Sequence, residues 1–197
     1  VAEFNILSLE DVLDSCGESV AQTLLSAFYC PINPDIENYL KNRAVDNIKK
    51  HLSPTFLIYS DDLDLMGYFT LSLKTIDIKR ASLSRRMRDR VTRYCHADEN
   101  ADEYNLPCIL IAQLGKNYGY NDGKSIDGSE IMDMAIEKIQ TAQSIVGGRI
   151  IYIECEDKPK LIDFYEKNGF VKFDHRKLDS DESGLNGEYL IRMLRYL

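Results

Sequence analysis

Leu161-Ile162-Asp163-Phe164-Tyr165-Glu166-Lys167-Asn168-Gly169-Phe170 is the stretch on which the fold turns. Lys160 to Asn168 has the apolar spacing of a helix, and Gly169 stands where a helix ends in a left-handed residue. Glycine suits that conformation because it has no Cβ to clash. Phe170-Val171-Lys172-Phe173 then reads as a strand. Taken alone the stretch is ordinary: Leu161 and Phe164 are core, Tyr165 is an amphipathic filler and Gly169 is a cap.

Its surroundings alternate in the same way. Upstream, Ile150 to Ile153 predicts a central strand, preceded by a long helix with Ile131, Ala135, Ile139, Ala142 and Val146 on one face, ended by Gly147-Gly148. Before that helix, Gly and Asn cluster from Gly115 to Gly128, after the almost wholly apolar run Pro107-Cys108-Ile109-Leu110-Ile111-Ala112 of a buried strand. Downstream, Glu188 to Leu194 closes the chain as a strand. The N-terminal half predicts a strand at Phe4 to Leu7, a helix from Glu18 to Phe28, and a second helix capped by Asn33-Pro34 and carrying a stripe from Ile36 to Leu52. Strands follow at Thr55 to Tyr59 and Met66 to Ile78, then a helix with Leu83, Met87, Val91 and Tyr94 inward and arginines outward. The order predicts an α/β fold, a mixed sheet with helices packed on it. No repeat, low-complexity tract or linker interrupts it, so residues 1–197 are expected to form a single domain.

Composition sets the bounds. The 197 residues are 44% hydrophobic and 28% charged, ordinary for a globular protein with a real core. No apolar run approaches the ~20 residues of a membrane helix. Five scattered cysteines, without a C-x-x-C pair, argue against a disulfide framework or zinc site and for a reducing, cytoplasmic setting. The net charge of −8 is uneven. From Lys79 to Tyr94 seven basic residues face only Asp89, a charge of +6, which leaves −14 for the rest. Such a field has direction and can steer a partner.

The helix opening near Gly128 follows a buried strand through a glycine-containing loop, so its unpaired N–H groups and dipole could receive a phosphate. A tight turn capped by Asp127 explains the same residues. Together, in this order of elements, the two features resemble the GNAT superfamily of N-acetyltransferases. Leu161 to Phe170 matches that family's second motif, with Phe-Tyr and then Gly-Phe. Ile111-Ala112-Gln113-Leu114-Gly115-Lys116 resembles the strand whose splayed backbone holds the pantetheine arm, and Lys124-Ser125-Ile126-Asp127-Gly128-Ser129 occupies the place of the pyrophosphate loop. The element order agrees from about Phe4 to Leu194, and the match is sharp from Leu110 to Phe173. The loop departs from the family pattern of Gln or Arg, two residues, Gly, one residue, Gly or Ala. Counting back from Gly128, Gly123 and Ile126 stand at the first two positions, and Asp122 and Asp127 lie where phosphate charge would arrive. Lys158 stands where the family often has Asn.

Within the superfamily, Cys30-Pro31-Ile32-Asn33 leading into Ile36 to Ala44, and Gly67-Tyr68-Phe69-Thr70-Leu71, are similar to the branch that includes toxin acetyltransferases acting on aminoacyl-tRNA. The resemblance implies a GNAT-type α/β fold, a central mixed, mostly antiparallel sheet with helices on both faces, with acetyl-CoA as acyl donor and direct attack of an amine on the thioester; no metal is expected, because no metal-ligand spacing is present. It implies an oxyanion donor among the N–H groups of Leu114, Gly115 and Lys116, and Tyr165 as general acid, since a phenol pKa of about 10 suits a thiolate leaving group. Glu154 is the candidate base, sharing a strand face with Ile150 and Tyr152, and Glu156 is the next choice. Either carboxylate also reads as ion-paired.

Other candidates are weaker. Cys155 reads as a buried thiol because His51, His96 and His175 offer it no implied partner. Cys95-His96 lacks a recognised metal-ligand spacing. The arginine-rich helix either grips RNA phosphates or pairs with the acidic remainder of the chain or of a second subunit in a homodimer; a pI near 5.0 favours the latter. Three function classes stand: a small-molecule or protein acetyltransferase, an acetyltransferase acting on tRNA, and a CoA-binding regulator without catalysis.

Overall fold

Leu9, Val12 and Leu13 repeat at helical spacing directly after the first strand. β1 (Phe4–Ser8) accordingly runs straight into α1 (Leu9–Cys16), a helix absent from the expected order. Gly17, at φ +80°, ends it, with its N–H donating to the Leu13 carbonyl at 3.0 Å. α2 (Glu18–Ser26) follows, and then α3 (Pro34–Asn42), where the Asn33 side chain accepts the N–H of Asp35. The single helix expected from Ile36 to Leu52 is in fact two. The backbone leaves helical geometry at Arg43 (φ −122°) and resumes as α4 (Ala44–Lys49). Leu40, Ala44 and Ile48 stay buried across the break, but Leu52 lies beyond it, 59% exposed. The cause is His51, at φ +52°: its N–H bonds Ile48 and that of Leu52 bonds Asn47, which closes the helix end.

The computed structural model describes residues 4–95, 102–120, 125–178 and 187–197. Beyond α4 come β2 (Thr55–Ser60), β3 (Leu65–Lys79), α5 (Arg85–Val91) and β4 (Glu103–Lys116). The chain closes with α6 (Gly128–Val146), β5 (Ile150–Glu156), α7 (Pro159–Lys167), β6 (Val171–Lys177) and β7 (Tyr189–Tyr196). The strands form one seven-stranded sheet in the order β1-β2-β3-β4-β5-β7-β6. β1 with β2, β2 with β3, β5 with β7 and β6 with β7 are antiparallel; β4 and β5 are parallel. The parallel register sets Ile109–Leu110 against Ile151–Tyr152, while β4 continues to Lys116 and β5 to Glu156.

The chain divides into two compact units, Val1–Ser72 with Ile111–Ile136, and Leu73–Leu110 with Glu137–Leu197. In the first, Leu9, Leu25, Phe28, Leu40, Leu57 and Tyr68 are fully buried in one apolar cluster. In the second, Ile78, Val91, Leu106, Tyr152 and Leu194 form the corresponding cluster. Each fully buried side chain of this size contributes roughly 1.5–3 kcal/mol.

Asn117, just past β4, ties the first unit together. Its Oδ1 accepts the N–H groups of Tyr29 and Gly119, both at 2.9 Å. Its Nδ2 donates to the carbonyls of Ala27 (3.1 Å) and Leu65 (2.7 Å). The side-chain amide is thus fully used, at a residue 5% exposed. Asn117→Ala is expected to cost about 2–4 kcal/mol, because buried backbone groups lose their partners. A fall in the denaturant midpoint, at an unchanged m value, checks it; an unchanged midpoint would mean that other contacts hold this end of β4.

Candidate functional site

The end of β4 packs where only glycine fits. A Cβ on Gly115 would lie 2.5 Å from Ile36 Cγ2, 2.7 Å from Tyr68 Cε1 and 3.1 Å from Phe28 Cζ. Leu114 and Lys116 on either side are half-buried, and Gly115 itself is buried. The ammonium of Lys116 donates to the Ser125 hydroxyl at 2.5 Å and stands 5.5 Å from the Tyr118 ring centre. Lys124, expected in the same loop, falls outside the described residues, as do Asp122 and Gly123. Ile126 is fully buried and anchors the exposed Ser125 and Asp127 around it.

The start of α6 carries two carboxylates. Asp127 accepts the N–H of Ser129 at 2.8 Å, and Glu130 reaches back to the N–H of Asp127 at 2.7 Å. This reciprocal cap stabilises the helix and engages two of its terminal donors. Gly128 and Ser129 are half-buried. The capping role of Asp127 was legible; Glu130 was missed, although the three-residue spacing Asp127 to Glu130 is its signature.

Tyr165 is held by the way α7 ends. Gly169, at φ +81°, lets its own N–H reach the Glu166 carbonyl and that of Phe170 reach Tyr165. This closure brings the Phe170 ring edge-on to Tyr165 at 5.7 Å, with Phe164 edge-on at 5.1 Å. Leu161, Phe164 and Tyr165 are all half-buried, so Leu161 and Phe164 are less enclosed than core residues would be. Burial, and then the nearby Cys155, push the Tyr165 phenol above its ordinary range, so it is protonated at neutral pH. No described residue hydrogen-bonds its hydroxyl. Cys155 is buried and its thiol is pushed up to about 12 by burial and then Asp157, the behaviour of an inert structural thiol.

Glu154 sits in a different environment from the one a base needs. Arg176 donates to its Oε2 at 2.7 Å, while Tyr152 (2.5 Å) and Lys74 (3.3 Å) reach its Oε1. Arg192 holds the other side of the Tyr152 hydroxyl at 2.9 Å and pairs with Asp174 at 3.4 Å. Strand register puts Arg192 directly opposite both Glu154 and Asp174, giving a row of alternating charge across β5, β7 and β6. Burial alone would raise the Glu154 carboxyl, but the Arg176 and Tyr152 hydrogen bonds and the Lys74 and Arg176 charges hold it at about 2. A carboxylate this weakly basic and this fully engaged reads as an ion-pair acceptor rather than a general base. Glu156, the next choice, is buried and paired with Lys158 at 2.7 Å. Cys95 donates its thiol to the Val91 carbonyl, and His96 lies outside the described residues. Among the described residues no three His, Cys, Asp or Glu side chains converge on a metal position, and no helix is long and apolar enough to cross a membrane.

The low Glu154 pKa makes a stability prediction. Between pH 4.5 and about 2 the unfolded chain takes up a proton at this position that the folded chain refuses. The contribution is therefore present above pH 4.5 and lost as pH falls through about 2. Glu154→Gln should destabilise by about 2–3 kcal/mol at neutral pH and flatten the acid limb of the stability curve. Denaturant titrations of both proteins from pH 7 to 2 check this; parallel curves would remove the ion-pair role.

The chain matches no family model. Its structure, however, is similar over nearly its whole length to solved structures that include bacterial toxins. AtaT complexed with acetyl-methionyl-tRNAfMet superposes with a TM-score of 0.63 at 17% identity, over 96% of this chain and 94% of that one. A tyrosine-to-phenylalanine mutant of KacT gives 0.63 at 16% identity, with the same coverage of 96% and 94%. AtaTR bound with acetyl-CoA gives 0.56 at 16% identity, over 96% and 92%. At such identities the likeness is one of fold: this chain shares the GNAT-like mixed α/β fold of these structures, with its mostly antiparallel seven-stranded sheet.

Proposed function

We propose that this protein is an N-acetyltransferase that moves the acetyl group of acetyl-CoA to the α-amine of an aminoacyl-tRNA. The observation that carries the reading is the near full-length likeness to AtaT in complex with acetyl-methionyl-tRNAfMet, together with the acetyl-CoA complex of AtaTR. It favours tRNA as the acceptor, although the acidic composition weighs against RNA.

In the proposed reaction the neutral amine attacks the thioester carbonyl, a C–N bond forms and the C–S bond breaks. A backbone N–H near Leu114, Gly115 or Lys116 is the proposed oxyanion donor, held in place by the tight packing at Gly115. Tyr165, protonated at neutral pH and with no described partner on its hydroxyl, is the proposed proton donor to the CoA thiolate. The amine's proton leaves to water, and the phenol is reprotonated from solvent. An α-amine titrates near 7.7–8.0, well below a lysine side chain, so about a tenth or more is already neutral at pH 7. Such an acceptor asks little of a protein base, which agrees with the engagement of both Glu154 and Glu156 in ion pairs. Lys116 and the opening of α6 are the proposed contacts for the pyrophosphate. One observation favours a second reading, a CoA-binding regulator without catalysis: the Asp127 and Glu130 carboxylates already occupy that helix opening.

Saturating acetyl-CoA should raise the melting temperature, since a ligand at 100 times its Kd adds about 2.7 kcal/mol. Tyr165→Phe should keep that shift and slow acetylation of aminoacyl-tRNA by ~10²–10⁴-fold, followed by mass spectrometry of the aminoacyl end. A thermal shift without turnover in the wild type would select the regulator; wild-type turnover in the mutant would return Tyr165 to a packing role.

A further inference from the structure

α5 carries Arg85, Arg86, Arg88 and Arg90, and Arg93 follows in the next turn. Its inward face is firmly seated. Val91 is fully buried and Leu83 nearly so, with Met87 and Cys95 packed on the same cluster. The Ser84 side chain caps its start by accepting the N–H of Met87. Arg90 lies 4.9 Å over the Tyr196 ring, which fixes one guanidinium against the fold. Arg85, Arg86 and Arg93 are exposed, and none of the five arginines forms an ion pair with a described residue.

That arrangement is unfavourable by itself. Arg85 and Arg88, Arg86 and Arg90, and Arg90 and Arg93 are like-charged neighbours three or four residues apart, which weakens a helix. Pairing with acidic groups of the same fold would relieve the repulsion, and the described acidic residues do not supply it. A ligand that brings closely spaced negative charge would. Guanidinium groups present forked donors that fit phosphate oxygens two at a time. The rest of the chain, at −14, repels a polyanion, so one bound here is confined to this face and oriented by it.

We propose that the arginine face of α5 and the turn after it is the surface on which this protein docks the phosphodiester backbone of RNA. The choice of RNA rests on the aminoacyl-tRNA reading above; the phosphate chemistry rests on the arginines alone.

The test uses the full chain and deacylated tRNA, so it needs no catalysis. Arg85, Arg86 and Arg93 are changed together to Gln, and in a second variant to Lys. The Gln variant should bind tRNA at least tenfold more weakly at moderate salt. The slope of log affinity against log salt should flatten by roughly 0.7–0.9 per lost phosphate contact. The Lys variant, which keeps the charge, should recover most of the binding, and the acetyl-CoA thermal shift should match wild type in both. Wild-type affinity for tRNA in the Gln variant would overturn the proposal. Retention of a polyglutamate peptide in place of tRNA would overturn it in favour of an acidic protein partner, and tighter binding of duplex DNA than of tRNA would overturn the assignment to RNA. Wild-type protein that binds tRNA at this face yet transfers no acetyl group would overturn the proposed reaction and leave the docking surface standing.

Discussion

Gly115 brings Ile36 and Tyr68 against the bare backbone of β4 at distances a Cβ could not share, with Phe28 close behind them. Everything proposed for the donor end depends on that contact. The Tyr68 hydroxyl donates to the Ile36 carbonyl at 2.6 Å, and the Phe28 ring meets Tyr68 edge-on at 5.1 Å, so the wall facing Gly115 is itself locked. Two residues on, Asn117 spends its entire hydrogen-bonding capacity on the same loop and strand. The backbone from Leu114 to Lys116 is therefore positioned by packing and by its neighbours.

Charge is handled in two opposite ways. Around Glu154 the fold gathers Lys74, Arg176, Arg192 and Asp174 and closes the account internally, through cross-strand register and the Tyr152 hydroxyl. The result is a carboxylate that stabilises the sheet and is a poor proton acceptor. On α5 the fold does the reverse, and exposed guanidinium groups stand without a counter-charge among the described residues. The first arrangement is a reason for stability; the second is a reason to look for a polyanion.

At Tyr165 and at the start of α6, helix capping involves the residues to which the proposed reaction assigns its chemistry. The left-handed Gly169 that ends α7 also sets Phe170 against Tyr165, so helix termination positions the phenol. At α6, Asp127 and Glu130 satisfy the N–H groups that an anion would otherwise take. In the proposed donor site a pyrophosphate would meet these two carboxylates as well as Lys116.

Much of this was legible in the residues themselves, because it depends on local periodicity and local backbone chemistry. The alternation of strands and helices, the Asn33-Pro34 start of α3, the cap at Asp127 and the left-handed Gly169 all follow from neighbours within a turn or two. α1 was there to be read in Leu9, Val12, Leu13 and Gly17, yet its short length hid it. The break at Arg43 has no proline or glycine to announce it. What tertiary structure alone decided involves partners far apart in the chain. Glu154 meets Lys74 80 positions away and Arg176 22 positions away, and no spacing rule links them. Its place beside Arg192 and Asp174 follows from strand register, which sets who stands opposite whom only once the sheet has formed. Gly115 is the same kind of case: the sequence marks a flexible residue, and only the packed fold shows that its lack of a side chain is a steric requirement.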